Sequence, residues 1–344
     1  MAQKLLIRTP NHLGDCIMSL PMVNNAKEVY HGSSLTILVP EHLAEIYTHN
    51  PAIDDIIKIP GEYIHGLVAI TKIKELLRDR TFDVAFILPP SFGAAAGLKL
   101  SGIKERIGYI ADGRRLLLSK PLPLPSPLNS IHRSELYFNL LRRGAGADIE
   151  FNKPKLFLND IDMTQATELL NNYDLPRTFD FVSVAFQAVA ESRRWGVDNY
   201  IALVKRIISE LNLKVALIGS AEDKKVGDEI AATCGAQEVK NFSGVTTIRE
   251  AAAILSLGKA FVGNDSGPAH LAASVGVPVV VLSGADDPKS TSPIANDKVL
   301  IYNEHLPCIS CVKNKCTLKG DDFMACMKEI SVEQVFNAVQ LIVS

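Results

Sequence analysis

The 344-residue chain has no apolar run near the roughly 18 residues needed to cross a bilayer. Its opening, MAQKLLIRTPNHLGD, holds too short an apolar segment for a signal peptide and reads as a first strand, so a cytoplasmic location is expected. Net charge is almost absent: 36 Lys and Arg face 38 Asp and Glu, for a formal charge of -2, which removes the global electrostatic case for nucleic acid. There is no internal repeat and no low-complexity tract. No G-x-G-x-x-G follows the first strand, which counts against a dinucleotide oxidoreductase. Nor does a Tyr/Lys pair follow a suitable strand, as a sugar-nucleotide epimerase or dehydrogenase would need. Cysteine is scarce at six residues, yet four of them fall between 308 and 326.

What is present is alternation. A chain of this length with 47% hydrophobic and 22% charged residues is globular and long enough for two domains. Strands are expected at Lys4 to Arg8, Leu35 to Val39 and Asp83 to Leu88, with helices at Ile17 to Tyr30 and Leu67 to Leu77. The pattern restarts at Phe181, with strands at Val182 to Phe186, Lys214 to Ile218 and Ala260 to Val262. Helices are expected there at Asn199 to Leu211, Asp223 to Cys234 and Ile248 to Leu257. Strands alternating with helices predict parallel sheets covered on both faces, the α/β class. Leu122 to Asn129 is Pro-rich and reads as an extended loop, and the interdomain connection is expected within Asn152 to Arg177.

The densest signal is FVGNDSGPAHLAASVGVPVVVLSG, Phe261 to Gly284. An apolar strand stops at Gly263-Asn264-Asp265-Ser266-Gly267, and Pro268 suits the first helical position because its missing N–H would be unbonded there. Ala269 to Val275 is the helix, Gly276 its left-handed stop, and Val277 to Leu282 a buried strand. Free N–H groups at such a helix start attract phosphate, although an ordinary capped turn has the same pattern. The loop after the first strand, Thr9-Pro10-Asn11-His12-Leu13-Gly14-Asp15, is the second candidate. Asp15 is either a helix N-cap or a carboxylate able to take a proton from a substrate hydroxyl, since ligands of open α/β sheets sit beyond the carboxyl ends of the strands. After Ile218, Glu222 and Asp223 compete to accept ribose hydroxyls, and either is equally a first-turn acid. Thr246 and Thr247 read as caps of the next helix rather than nucleotide contacts.

Leu13-Gly14-Asp15, Arg193-Arg194-Trp195 and Asn264-Asp265-Ser266-Gly267 with His270, in this order and spacing, resemble the bacterial lipopolysaccharide heptosyltransferases of glycosyltransferase family nine. Leu88-Pro89-Pro90-Ser91-Phe92, Gly102-Ile103 and Arg106-Ile107-Gly108-Tyr109 are similar to its heptosyltransferase II group, and the likeness runs through Cys326-Met327 to the final helix. The resemblance implies a GT-B architecture: a Rossmann-like acceptor domain (1–160), a Rossmann-like donor domain (161–328), a cleft between their parallel sheets, and a last helix (329–344) packing back on the first. It implies an ADP-heptose donor, inversion at the anomeric carbon and no catalytic metal or other cofactor. Asp15 would be the base, while Arg193, Asp265, Ser266, Gly267 and His270 would hold the diphosphate and sugar, and Glu222 or Asp223 the ribose. The chain departs from the pattern at Phe186 to Gly196: the family's Pro-Gly loop is missing, and Arg193-Arg194-Trp195-Gly196 replaces Lys-Arg-Trp-Pro. Arginine keeps the charge but alters its shape and reach.

On the acceptor side, Asn11, Arg114 and Arg115 are candidates for phosphates or acidic sugars of a lipid A–core acceptor, against the alternative of a solvated basic surface. Such an acceptor implies an enzyme peripheral to the inner face of the cytoplasmic membrane, and a monomer is expected. Cys308, Cys311, Cys316 and Cys326 have C-x2-C-x4-C-x9-C spacing, which suggests zinc or a cluster more than disulfides in a cytoplasmic protein but matches no standard zinc template. Similar cysteines recur in the resembled group, so a purely structural role stands beside a structural metal. A GT-B protein that binds a nucleotide sugar without transferring it, or a transferase of another nucleotide sugar, are the alternative functions.

Overall fold

The computed structural model describes residues 3–175 and 180–344. Two compact units divide the chain, Met1–Phe157 and Leu158–Ser344. Residues 176 and 177 of the expected connection lie outside the described residues.

The first unit contains β1 (Lys4–Arg8), β2 (Ser34–Pro40), β3 (Asp55–Ile59), β4 (Val84–Ile87), β5 (Glu105–Tyr109) and β6 (Lys120–Leu122). They form one sheet in the order β3-β2-β1-β4-β5-β6, every pair parallel. The second unit contains β7 (Phe181–Ala185), β8 (Lys214–Leu217), β9 (Val239–Asn241), β10 (Ala260–Asn264), β11 (Val279–Leu282) and β12 (Lys298–Ile301). Its order, β12-β11-β10-β7-β8-β9, is the same when counted from its own first strand, and it is again parallel throughout. Both are doubly wound Rossmann sheets, whose strand order reverses beside the first strand of each.

Burial explains which strands were visible beforehand. β4, β7, β10 and β11 are buried at every position, the continuous apolar run expected of a central parallel strand. β3, β5, β6, β9 and β12 lie in the outer part of each sheet, carry charged or half-buried residues, and were not expected. Pro121 fits β6 because that strand is an edge. The helix expected over Ile17 to Tyr30 is three short segments, Leu13–Met18, Leu20–Asn24 and Ala26–Val29. Pro21 has no N–H to continue the first of them.

The last helix is Val332–Val343. Its Val335, Phe336 and Val339 belong to the core of the second unit, beside Trp195, Tyr200 and Val204. Arg206 clamps it by stacking 3.8 Å over the Phe336 ring and pairing with Glu333. The buried face of this helix therefore serves its own unit.

Candidate functional site

In the first unit the switch point lies between β1 and β4. The loop leaving β1 is shaped by Arg8, which is only 1% exposed. Its guanidinium donates to Asn11 Oδ1 at 2.7 Å and to the Thr9 carbonyl. Burial lowers its pKa to about 10. The Asn11 carbonyl, expected to face an acceptor, is thus engaged in holding the loop.

Asp15 is not an N-cap. Helix Leu13–Met18 begins two residues earlier with His12 at the cap, so Asp15 occupies the first turn. Its carboxylate, 22% exposed, accepts a hydrogen bond from Tyr137 Oη at 3.1 Å and has Arg133 Nη1 at 3.5 Å. Both partners come from helix Arg133–Ala145, which sequence reading missed. Its buried Leu136, Tyr137, Leu140, Leu141 and Gly144 were the available signal, one face of a 3.6-residue period. Burial first, and Asp15 next, push the Tyr137 phenol well above its ordinary pKa, so it stays a donor.

Arg114, an expected acceptor candidate, is engaged within its own unit. It is 1% exposed and donates to the carbonyls of Tyr109 (2.9 Å), Ile87 (3.4 Å) and Pro89, tying β4 to β5. Burial lowers its pKa to about 10. Arg115 is exposed.

The second unit's switch point lies between β7 and β10. Their carboxyl ends feed the turn Glu191–Arg193 and the segment Asp265-Ser266 before helix Gly267–Ser274. Gly263 lets the strands meet: a Cβ there would lie 2.8 Å from the Ala185 carbonyl oxygen. Ser266 is the N-cap but its hydroxyl bonds back to the Asn264 carbonyl at 3.2 Å, and Gly276 has the expected left-handed φ of 86°. Asn264 Oδ1 accepts the Trp195 N–H at 3.2 Å, linking the two loops.

Charge concentrates here. Arg193 Nη2 pairs with Asp286 Oδ1 at 2.5 Å. Asp265 is 3% exposed, accepts from Ser283 Oγ at 3.4 Å and has His270 Nε2 at 3.9 Å. Burial, then the like charge of Asp286, raises Asp265 to about 7; burial raises Asp286 to about 6 despite Arg193. Lys298 is lowered by burial and raised by Asp265. Arg193 Nε, Asp286 Oδ2 and Asn264 Nδ2 are buried without hydrogen-bond partners. Such orphaned groups gathered at a switch point offer both donors and acceptors to a polar ligand. Asp286 was missed, although an acid four residues past the buried β11 sits where that rule looks for ligands.

At the end of β8, Asp223 is absorbed by a capping box, accepting from Ser220 N and Oγ at 2.8 Å each. Glu222 is exposed, and its pKa is lowered by hydrogen bonding to Ser220. Thr247 caps helix Ile248–Leu257 in a box with Glu250, as expected.

Cys308, Cys311, Cys316 and Cys326 line one cavity of about 70 Å3. The Cys326 thiol is pushed up to about 11 by burial and then by the other three. Among the described residues, no three His, Cys, Asp or Glu side chains already stand as a metal-binding group.

Solved structures of the same architecture define the class. The structure of E. coli ADP-heptose LPS heptosyltransferase II aligns with a TM-score of 0.82 at 24% identity, covering 99% of this chain and 98% of that one. A family 9 glycosyl transferase from Veillonella parvula aligns at 0.85 with 20% identity, covering 99% and 97%. The fold is that of the GT-B glycosyltransferases. More narrowly, the chain belongs to glycosyltransferase family 9 (heptosyltransferase), whose model matches residues 70–321. Lipopolysaccharide heptosyltransferase 2 of Salmonella typhimurium is 27% identical over 305 residues, 85% of this chain and 86% of that protein. Among the described residues, no helix is long and apolar enough to cross a membrane.

Proposed function

We propose that this glycosyltransferase moves heptose from ADP-L-glycero-D-manno-heptose to the inner core of lipopolysaccharide, with inversion and in the manner of heptosyltransferase II. The observation that carries the reading is Asp15, a partly exposed carboxylate at a switch point, oriented by Tyr137 and Arg133. An acceptor hydroxyl attacks the anomeric carbon, its proton passes to Asp15, and the bond from that carbon to the diphosphate oxygen breaks, leaving ADP with the electron pair. Arg133 and Tyr137 together fix the orientation of the base.

The second unit holds the donor. N–H groups at the start of helix Gly267–Ser274 and the Arg193 guanidinium stabilise charge on the leaving diphosphate, so the transfer step calls on protein cations rather than a metal. Asp265, Ser266 and His270 position the sugar and phosphates. Glu222 is the better ribose acceptor, because Asp223 is committed to its cap. Arg115 is the remaining basic candidate for acceptor phosphates, and a lipid-linked acceptor is consistent with a monomeric enzyme working at the inner face of the cytoplasmic membrane.

The test is transfer from ADP-heptose to a deep-truncated, mono-heptosylated acceptor by the parent, Asp15→Ala and Asp15→Asn. Both variants are expected to lose about 10²–10⁴-fold in kcat, the usual worth of a general base. Asparagine retains an acceptor for Tyr137, so only alanine also loses about 1–3 kcal/mol of stability. Parent-like turnover by Asp15→Asn removes the base assignment. Absence of transfer by the parent with every nucleotide sugar tried would leave a binding protein.

A further inference from the structure

Residues 302–324 join β12 to the short helix Ala325–Lys328, and none of them is buried. One 3-10 turn, Gly320–Asp322, is the segment's regular structure. A stretch of this length normally needs apolar anchorage or secondary structure to offset its ordering entropy. Instead it spends free energy on backbone strain: Ser310, Val312 and Met324 have φ of 58°, 55° and 55°. A left-handed β-branched Val312 is costly in itself. The chain is nevertheless seated on the donor unit. Ser310 N donates to the Gly284 carbonyl at 3.2 Å and Val312 N to Ala285 at 2.7 Å. Ser192 N donates to Asn314 O at 3.2 Å and Ser192 Oγ to Lys313 O at 2.5 Å.

The thiols are what this segment has in place of a core. Cys308, Cys311 and Cys316 belong to it, Cys326 begins the next turn, and all four face one cavity. Met324 N already donates to Cys316 Sγ at 3.4 Å, the backbone N–H to sulfur contact that would stabilise a thiolate. Four sulfurs are a complete tetrahedral set for a soft ion, and three of the four thiols belong to a segment without buried side chains to resist their turning toward it.

We infer that Cys308, Cys311, Cys316 and Cys326 bind one structural zinc or iron ion, and that this ion holds the turn carrying Arg193 through Ser192. Each thiol gives up its proton to solvent on ligation. The ion has a structural role and carries no step of transfer. The link to Arg193 rests on the donor-site reading above, whereas the metal site stands without it.

The experiment begins with the full chain, purified under reducing conditions without added metal, and measures zinc, iron and acid-labile sulfide. About one ion per chain without sulfide is expected, with zinc and iron told apart by the analysis. Chelator-treated protein titrated with Co2+ should then develop thiolate-to-cobalt charge-transfer absorption ending at one equivalent. Cys311→Ser, at the exposed thiol, should weaken Co2+ at least about 10-fold. Metal far below stoichiometry together with no cobalt absorption in reduced, folded parent overturns the site, as do disulfides among these cysteines or a sulfide-containing cluster. For the link, metal removal and Ser192→Ala should each weaken ADP binding several-fold. Unchanged ADP affinity in a stripped, folded protein overturns the link and leaves the metal measurement to decide the site.

Discussion

Arg193 is the cation against which two buried carboxyls are set, and Arg193→Met isolates that role. The Asp286 side chain is 7% exposed and pairs with Arg193 at 2.5 Å, and the Asp265 side chain is 3% exposed. Burial holds them at about 6 and about 7 in spite of the arginine's attraction. A carboxyl with a raised folded pKa leaves the folded state holding more protons than the unfolded one from about pH 4 to 7, so stability falls as pH rises through that range. Methionine moves both titrations higher and extends the fall into the alkaline range. One pKa unit on each carboxyl is about 1.4 kcal/mol. Because Arg193 is 32% exposed, solvent screens part of its attraction. The expected deficit is about 1–3 kcal/mol near pH 8 and close to zero near pH 5, where both groups are protonated with or without the arginine. Urea unfolding at several pH values measures it, with Arg193→Lys as a control that keeps the charge and follows the parent. ADP affinity should fall about 10–100-fold in Arg193→Met, the worth of a charge-assisted hydrogen bond. A deficit equal at both ends of the pH range, or larger in acid, refutes the reasoning, as does unchanged ADP binding.

Substitutions at two places test the packing of the second unit. Arg249 Nε donates to Asp162 Oδ1 at 2.8 Å with side chains 9% and 5% exposed, so Arg249→Met takes the paired cation from a buried carboxylate and should cost about 3–5 kcal/mol in urea unfolding. The double variant Asp162→Asn with Arg249→Met keeps the helix-cap acceptor for Asn159 N and should recover much of that loss, and additive losses would show that the pair is not the cause. Gly263→Ala places a Cβ 2.8 Å from both the Ala185 oxygen and Phe261 Cζ. It should destabilise by about 1–3 kcal/mol and weaken ADP binding as β10 moves away from β7; a neutral effect on both would contradict the close approach.

The central strands and loops were legible because their local patterns are unambiguous. The fully buried β10 and β11 leave uninterrupted apolar letters, and Pro268 and Gly276 punctuate the helix between them. The outer strands were not legible: a strand such as β12, half-buried and beginning at a lysine, has no run to see. Among the candidate site residues, Asp15 and Arg193 stand out by position in short motifs. Tyr137 and Asp286 were missed because each acquires its role from a partner more than ninety residues away in the chain, Asp15 in one case and Arg193 in the other.

The sequence by itself determined the class, the α/β alternation and the family, and it marked candidate loops for the chemistry, since each depends on residues close together in the chain. Only the tertiary structure decided what those residues face. It buried Arg114 against three carbonyls, placed Asp223 in a cap, set Tyr137 on Asp15 and joined Arg193 to Asp286. A side chain's charge state and availability follow from burial and from partners distant in sequence, and those exist only once the sheets have formed.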